Sequence, residues 1–564
     1  MSSVGRSTEL DFEPPGKGPW ELESTHFSRP VTSFAQASFA EGFVRGFTEG
    51  TARYGLLLDH FEPGYAAAFL YVQPVAFGAP PGAMGPPPKP VLQLLTRLHP
   101  AMRKRIARSA EAIERKLWRE DLARWDEVDK PAAVTEHRAV QDVDVAALSD
   151  EDLGQHLVMR ARHMTSSVYL HHKYTVPAAL PVGDFLAGAT AWTGLTSGEL
   201  LGLLRGRSAI SRGFAAVELE DAGKAIASSD PARAIVAAPA AAREKLAALA
   251  ADPVAGPAVS VYLDAVRWRS VGYDVADKTA GEMPDMLVGA LGAAVGGLSS
   301  SPDEDTGLET IRELVPEEHR EDFDDRLGEV RLMYRLRDER GVYSDGWATG
   351  LARRALLEAG RRLTASGRLN HPEHAVQLTA DEAVALLRAQ PGPGPEEVAE
   401  RHQWWESHTI DDAPKFLRAL PAPPPPVQWL PKRAHRSARA MDIFVDNLFK
   451  VPDTANTETV LSGLPVNTGI YEGPARLVSS AAEFDRVQPG DVLVTRMTSP
   501  YFNVVLPLLG AIVTDRGGQL SHAAIVAREY GIPGVVGTRE ATARIPDGAR
   551  VRVDGTTGEV RLLA

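Results

Sequence analysis

Between residues 511 and 533 the order of residue types leaves the chain little conformational choice. An apolar run, Ala511-Ile512-Val513, leads into Thr514-Asp515-Arg516, a glycine pair at Gly517-Gly518, then Gln519-Leu520-Ser521-His522 and an alanine-rich stretch ending at Gly531-Ile532-Pro533. The apolar run predicts a short buried strand. Paired glycines let the chain turn tightly and present backbone N–H groups. Ser521 is a preferred N-cap, and Gly531 followed by Pro533 is a helix stop. His522 is thereby expected on the first helical residue, where unpaired N–H groups and the helix dipole favour an anion. An imidazole there suits a carrier of a phosphoryl group. The plainer alternative is a histidine that only satisfies nearby backbone.

With Gly490-Asp491-Val492-Leu493-Val494-Thr495-Arg496 upstream and Gly534-Val535-Val536-Gly537-Thr538 downstream, this stretch resembles the phosphohistidine (swivelling) domain of the phosphoenolpyruvate-utilising enzymes. In layout the chain is similar to rifampin phosphotransferase-like and phosphoenolpyruvate synthase-like members without their ATP-grasp domain. The resemblance implies that His522 takes the place of the phosphorylated histidine. It makes Thr514, Gly517, Gly518 and Ser521 candidate phosphate-stabilising residues and the two flanking segments neighbouring strands. Leu520 departs from the threonine that many members carry two residues before the histidine, which removes the ground for threonine-based regulation.

A chain of 564 residues exceeds one compact core, so two to four domains are expected. Its 44% hydrophobic and 24% charged residues are ordinary for a globular protein. A net charge of −13 argues against a general nucleic-acid or anionic-membrane binder. No apolar run has the length of a membrane span, and Met1-Ser2-Ser3-Val4-Gly5-Arg6 lacks the apolar core of a signal peptide, so a cytoplasmic location is expected. The absence of cysteine excludes disulfides, thiolate metal sites and cysteine nucleophiles. The barrel of the larger family members commonly uses an acidic cysteine, so a synthase or dikinase with such a barrel after Ala564 is not expected. No metal site is expected on this chain.

The expected fold class is multidomain: a large, mostly α-helical substrate-binding domain over 1–395, a proline-rich linker and connector helix over 396–460, and an α/β swivelling phosphohistidine domain over 461–564. Helical periodicity covers Arg103–Trp125, with Ile106, Ala110, Ile113 and Leu117 on one face, and also Leu153–Tyr174 and Leu327–Leu363. Asp230-Pro231 opens a further helix over Ala232–Ala251. Gly296-Gly297 reads as a helix end or loop. Some strand is expected near Phe27 and over Phe69-Leu70-Tyr71-Val72. Pro421–Pro426 reads as a polyproline II segment, either an ordinary linker or the hinge a moving carrier needs. Trp20-Glu21-Leu22, His26–Pro30 and Tyr334–Glu339 resemble parts of the substrate-binding region of rifampin-phosphotransferase-like proteins.

Three groups are pocket candidates. Arg160, His163, Ser167, His171 and Tyr174 recur at spacings of three and four, forming either a pocket lining or a solvated helix edge. Arg331, Arg335 and Asp338 share a face beside Arg337, suiting either a phosphate or carboxylate or a surface ion-pair network. His26 and Arg29 lie near Trp20 and before Pro30. No glycine-rich phosphate loop followed by lysine occurs. The functional expectation is a phosphotransferase component that moves a phosphoryl group through His522 to a small hydroxylated molecule. No cofactor is tightly bound. ATP or phosphoenolpyruvate is the indirect donor, and Mg2+ and the ATP-grasp function lie on another chain. The alternatives are a lyase or dehydratase on the same scaffold, through transient substrate phosphorylation or with His522 as general acid or base, and a non-catalytic binding protein.

Overall fold

The computed structural model describes residues 12–563 except 25, 81, 208–214, 297–306, 450–455, 458, 480, 499–501 and 503–504. A mostly helical part carries a four-stranded sheet, and a C-terminal part is built on a sheet of eight. The small sheet has the order β2 (Leu58–Ala66), β3 (Phe69–Ala76), β1 (Trp20–Leu22), β4 (Phe416–Leu417). Its last strand pairs antiparallel with β1, so the chain returns to its own beginning just before the proline-rich segment. In the large sheet the order is β5 (Val460–Ser462), β12 (Glu559–Leu562), β11 (Arg550–Asp554), β7 (Ile470–Leu477), β8 (Asp491–Thr495), β9 (Leu509–Thr514), β10 (Gly534–Val536), β6 (Leu464–Asn467). Strands β7 to β10 run parallel and the flanking pairs antiparallel. The two segments read as strands on either side of the histidine motif are β8 and β10, hydrogen-bonded to β9 on its two sides.

In the helical part, Ser33–Arg53 packs along Asp150–Lys173 at unusually close range. Gly42 and Gly46, one turn apart, allow it: a Cβ on Gly46 would lie 2.6 Å from the carbonyl oxygen of Tyr169, and one on Gly42 2.4 Å from that of Thr165. Gly46→Ala forces the helices apart and should cost about 1–3 kcal/mol. An unchanged denaturation midpoint would show that the pair relaxes freely. The helix Thr175–Thr193 is buried on nearly every side from Val176 to Ala189, as an all-apolar helix must be. Its one buried carboxylate, Asp184, is paired with Arg326 and Arg436. Among the described residues no helix is long and apolar enough to cross a membrane.

Three long helices read from periodicity are broken, two of them at an identifiable residue. Arg103–Trp125 is two helices, Pro100–Glu114 and Leu117–Arg124, split where Lys116 takes a left-handed φ of 51°. Ala232–Ala251 divides into Asp230–Ala237 and Ala242–Ala251 around Pro239, which has no N–H to donate. Leu327–Leu363 becomes Arg320–Met333, Leu336–Val342 and Asp345–Ala365. Asp150–Lys173 is continuous, and Gly296 ends the helix Pro284–Val295, while Gly297 lies outside the described residues.

The connector helix, His435–Phe449, is no loose tether. It lies against Thr175–Thr193 so closely that a Cβ on Gly183 would sit 1.9 Å from the Ala440 carbonyl oxygen. The apolar cores also cross the chain's divisions. Leu287, Ala290 and Leu291 of the helical part share one cluster with Phe484, Leu493, Phe502, Leu508 and Ile512 of the C-terminal part.

Candidate functional site

His522 opens the helix His522–Tyr530, which follows β9 through a turn in which Gly517 has φ +106°. Ser521 caps it, its hydroxyl accepting from the Ala524 N–H at 3.4 Å, and Gly531 ends it in the left-handed conformation. The imidazole is buried, 9% exposed, with Nδ1 3.0 Å from Thr498 Oγ1. Nε2 is also buried and has no hydrogen-bond partner among the described residues. Burial, and after it the Arg337 guanidinium, push the ring's pKa down to about 3, so it is neutral near pH 7.

The glycine turn spends part of its backbone elsewhere than on an anion. Gly518 donates to the Leu448 carbonyl at 3.0 Å and Leu520 to that of Asn447 at 2.9 Å, satisfying the exposed end of the connector helix. A Cβ on Gly518 would stand 2.2 Å from the Asn447 oxygen, so this contact requires glycine. Thr514 is fully buried in β9 and its hydroxyl donates to the Arg516 carbonyl at 2.8 Å, inside the turn. Leu520 fills a cluster with Phe185, Val330, Tyr334 and Phe444 and so anchors the histidine loop to the helical part. The hydroxyl beside His522 comes instead from Thr498, beyond the end of β8. Reading the sequence alone missed it, and its one available signal was its place three residues after that strand.

Of the arginines on the helical part, Arg337 faces this site. Its Nη1 is buried without a partner among the described residues, and its charge acts on His522, on Arg340 and on Arg528. Arg335 is turned to an ion-pair network with Asp126 at 2.5 Å and Glu339 at 2.9 Å, and Arg331 Nε donates to the Leu203 carbonyl at 3.1 Å. Asp338 is buried, and its charge bears on Tyr334 and Arg340.

The polar stripe on Asp150–Lys173 is no solvated edge: Arg160, His163, Ser167, His171 and Tyr174 are all buried. Packing divides it. Tyr174 donates to Asp129 Oδ2 at 2.6 Å, and Arg160 Nη1 lies 2.9 Å from His163 Nδ1, beside His137 and His156. His171 turns the other way, its Nδ1 2.6 Å from Asp345 Oδ2. His26 joins that side with its ring centroid 6.3 Å from His171 and 4.7 Å from Tyr273, and its Nδ1 3.1 Å from Glu23 Oε1. Arg29 is drawn off to the carbonyls of Trp405, Glu406 and His408. Among the described residues no group of three His, Asp or Glu side chains is placed to hold a metal ion.

Burial, with Arg160, holds His163 at about 3 and His156 at about 4, against about 6.5 in the unfolded chain. These folded-state values are depressed, so between pH 6.5 and 4 the unfolded chain takes protons the fold refuses, and stability falls on acidification. Asp277 and Asp345, raised by burial to about 7, act in the opposite sense. The test is therefore a comparison: His163→Leu should flatten the fall of Tm with pH relative to the parent chain, and identical slopes would contradict the assignment.

Residues 487–558 match the family described as "PEP-utilising enzyme, mobile domain". An uncharacterized phosphotransferase of Bacillus subtilis (strain 168), YvkC, is 34% identical over 229 residues, 41% of this chain and 26% of that protein. A rifampicin phosphotransferase of a Streptomyces species is 31% identical over 325 residues, 54% of this chain and 34% of its own. A probable phosphoenolpyruvate synthase of Pyrococcus abyssi is 48% identical over 111 residues, 20% of this chain and 14% of that protein. The chain spans about a third or less of the length of these relatives. On that match, residues 487–558, which carry His522, are similar to the mobile domain of the PEP-utilising enzymes.

Proposed function

We propose that His522 is a phosphoryl carrier, loaded on Nε2, which passes the group to a hydroxyl of a small molecule held by the helical part. One observation carries the reading. His522 Nε2 and Arg337 Nη1, a nucleophilic nitrogen and a cationic donor from two different parts of the chain, are both buried and both lack a partner among the described residues. Such groups are costly to leave unmade, and a phosphoryl group bonded to one and hydrogen-bonded to the other would answer both. The first-turn N–H groups of the carrier helix favour negative charge at the same place.

In loading, the Nε2 lone pair attacks the donor phosphorus and the P–O bond breaks with its pair on the donor oxygen. In the reactive tautomer Nδ1 carries the proton and donates it to Thr498 Oγ1, which leaves the Nε2 lone pair free. Discharge reverses the roles: an acceptor oxygen bonds to phosphorus and gives up its proton to water, and the P–N pair returns to Nε2. The donor is ATP or phosphoenolpyruvate. Its site, with Mg2+, we assign to a partner such as an ATP-grasp subunit. The name of one relative, a rifampicin phosphotransferase, supports a small-molecule acceptor. A lyase with His522 as base has less support, since an imidazole near pKa 3 takes a proton weakly.

Chemical loading with potassium phosphoramidate, followed by nitrogen–phosphorus correlation NMR, reads the atom directly. Coupling to Nε2 of His522 is expected. Phosphate on Nδ1, or on other histidines only, would count against the reading.

A further inference from the structure

One face of the helical part carries charge and apolar surface that the fold itself does not use. From Pro63 to Ala110 the chain has no aspartate or glutamate but six lysines and arginines, although its net charge is −13. Two of the six are engaged internally: Arg105 with the Leu56 carbonyl and Asp59, and Arg108 with the Arg53 carbonyl and Glu111. The others, Lys89, Arg97, Arg103 and Lys104, are exposed and have no ion-pair partner among the described residues. An apolar strip runs among them. The helix Lys89–Leu98 buries Leu92 and Thr96 and turns Val91, Leu94 and Leu98 outward, at 45%, 58% and 67% exposure. Spaced three and four apart, these form one continuous stripe, of the kind a helix normally buries.

Two proline-rich segments meet beside this helix. A Cβ on Gly85 would stand 2.6 Å from that of Ala422, so the loop that ends in Pro86-Pro87-Pro88 touches the segment Pro421–Pro426. Met84 and Leu420, next to that contact along the chain, are both exposed. Proline-fixed backbone has little freedom left to lose when a partner covers it. The place is also close to the root of the carrier. Lys89–Leu98 packs on the helix Pro100–Glu114 and on the turn Val427–Trp429, and both of these meet the connector helix His435–Phe449. The Asn447 and Leu448 carbonyls at the end of that helix hold the histidine loop. A protein suits these features better than a bilayer. The strip has no aromatic side chain to seat among headgroups, and the chain's overall negative charge is repelled by anionic lipid.

We propose that the helix Lys89–Leu98, with the two proline segments beside it, is the docking face for the separate chain that loads His522. That partner presents an apolar centre to Val91, Leu94 and Leu98 and a rim of aspartate and glutamate to Arg97, Arg103, Lys104 and Lys89. Complementary charge steers the encounter and selects the partner, and burial of the strip holds it. The inference rests on the phosphohistidine reading above, with its donor site on a partner.

Two double variants of the full chain test it, Leu94→Gln with Leu98→Gln and Arg97→Glu with Arg103→Glu. Both change only exposed side chains, so both should take phosphate from potassium phosphoramidate, which needs no partner, as fast as the parent. Lysate of the native organism with ATP or phosphoenolpyruvate reads the docking. There the initial rate of phosphate incorporation at His522 should fall about 10- to 100-fold in each variant, the effect a few central interface residues carry. Added salt should slow loading of the parent and leave the charge-reversed chain unaffected. Equal lysate loading in all three chains would overturn the docking face while leaving the carrier intact. Binding of the parent to phosphatidylcholine–phosphatidylserine vesicles, or its dimerisation in light scattering, would overturn it too if Leu94→Gln with Leu98→Gln abolished either, since another occupant would then hold the strip. A parent that phosphoramidate loads and lysate does not would overturn the loading partner. A parent that neither loads at His522 would overturn the carrier reading, and this proposal with it.

Discussion

His522→Ala is expected to bring phosphoryl transfer to background, a fall of at least about 10⁴-fold, with the fold intact. Alanine is the best helix former, and the cap that starts this helix, Ser521 to the Ala524 N–H, does not involve the histidine. The leucine that anchors the loop, Leu520, and its backbone contact to Asn447 are likewise untouched. The substitution thus removes a nucleophile and one hydrogen bond to Thr498 without disturbing how the two parts meet. Unchanged circular dichroism with lost phosphate incorporation is the predicted pair of results. Full turnover by this variant would end every reading in which the histidine does chemistry.

Arg337→Met should lower transfer by about 100- to 1000-fold, the usual effect of removing one donor aimed at developing charge. Its effect on stability should have the opposite sign. In the parent chain Arg337 Nη1 is buried and has no partner among the described residues, and the guanidinium acts on two other cations, Arg340 and Arg528. A methionine of similar length removes that conflict, so Tm should hold or rise. The His522 pKa should also move up, though burial, its main cause, keeps it below the ordinary range. Loss of activity together with a gain in stability distinguishes a phosphate-binding arginine from one that merely supports the fold. Activity equal to the parent would make Arg337 a spectator.

How far the sequence could be read depended on whether the determining contacts were local. The strand, turn, cap and helix around His522 occupy about two dozen consecutive residues, and each step follows from its neighbours, so that region was legible. The polar stripe at 160, 163, 167, 171 and 174 was equally visible, but a single helix does not record what packs on its polar face. Asp345, which holds His171 Nδ1, is 174 residues away in sequence. Arg335 and Arg337 likewise carry the same chemistry two positions apart. Only the placement of Asp126 and Glu339 beside one, and of His522 across from the other, separates a structural ion pair from a candidate phosphate ligand. Periodicity overran helix ends at Lys116 and Pro239 because an apolar stripe continues through a break when both halves face the same core.

The central claim is that this chain carries a phosphoryl group on His522 in its native reaction. The direct measurement is mass spectrometry of the chain after incubation with ATP or phosphoenolpyruvate and lysate of the native organism, under alkaline conditions that preserve phosphoramidates. The account predicts one acid-labile phosphoryl group, mapped to the peptide containing His522 and absent from His522→Ala. Unmodified His522 with ongoing turnover, or phosphate only on serine, threonine or another histidine, would contradict it.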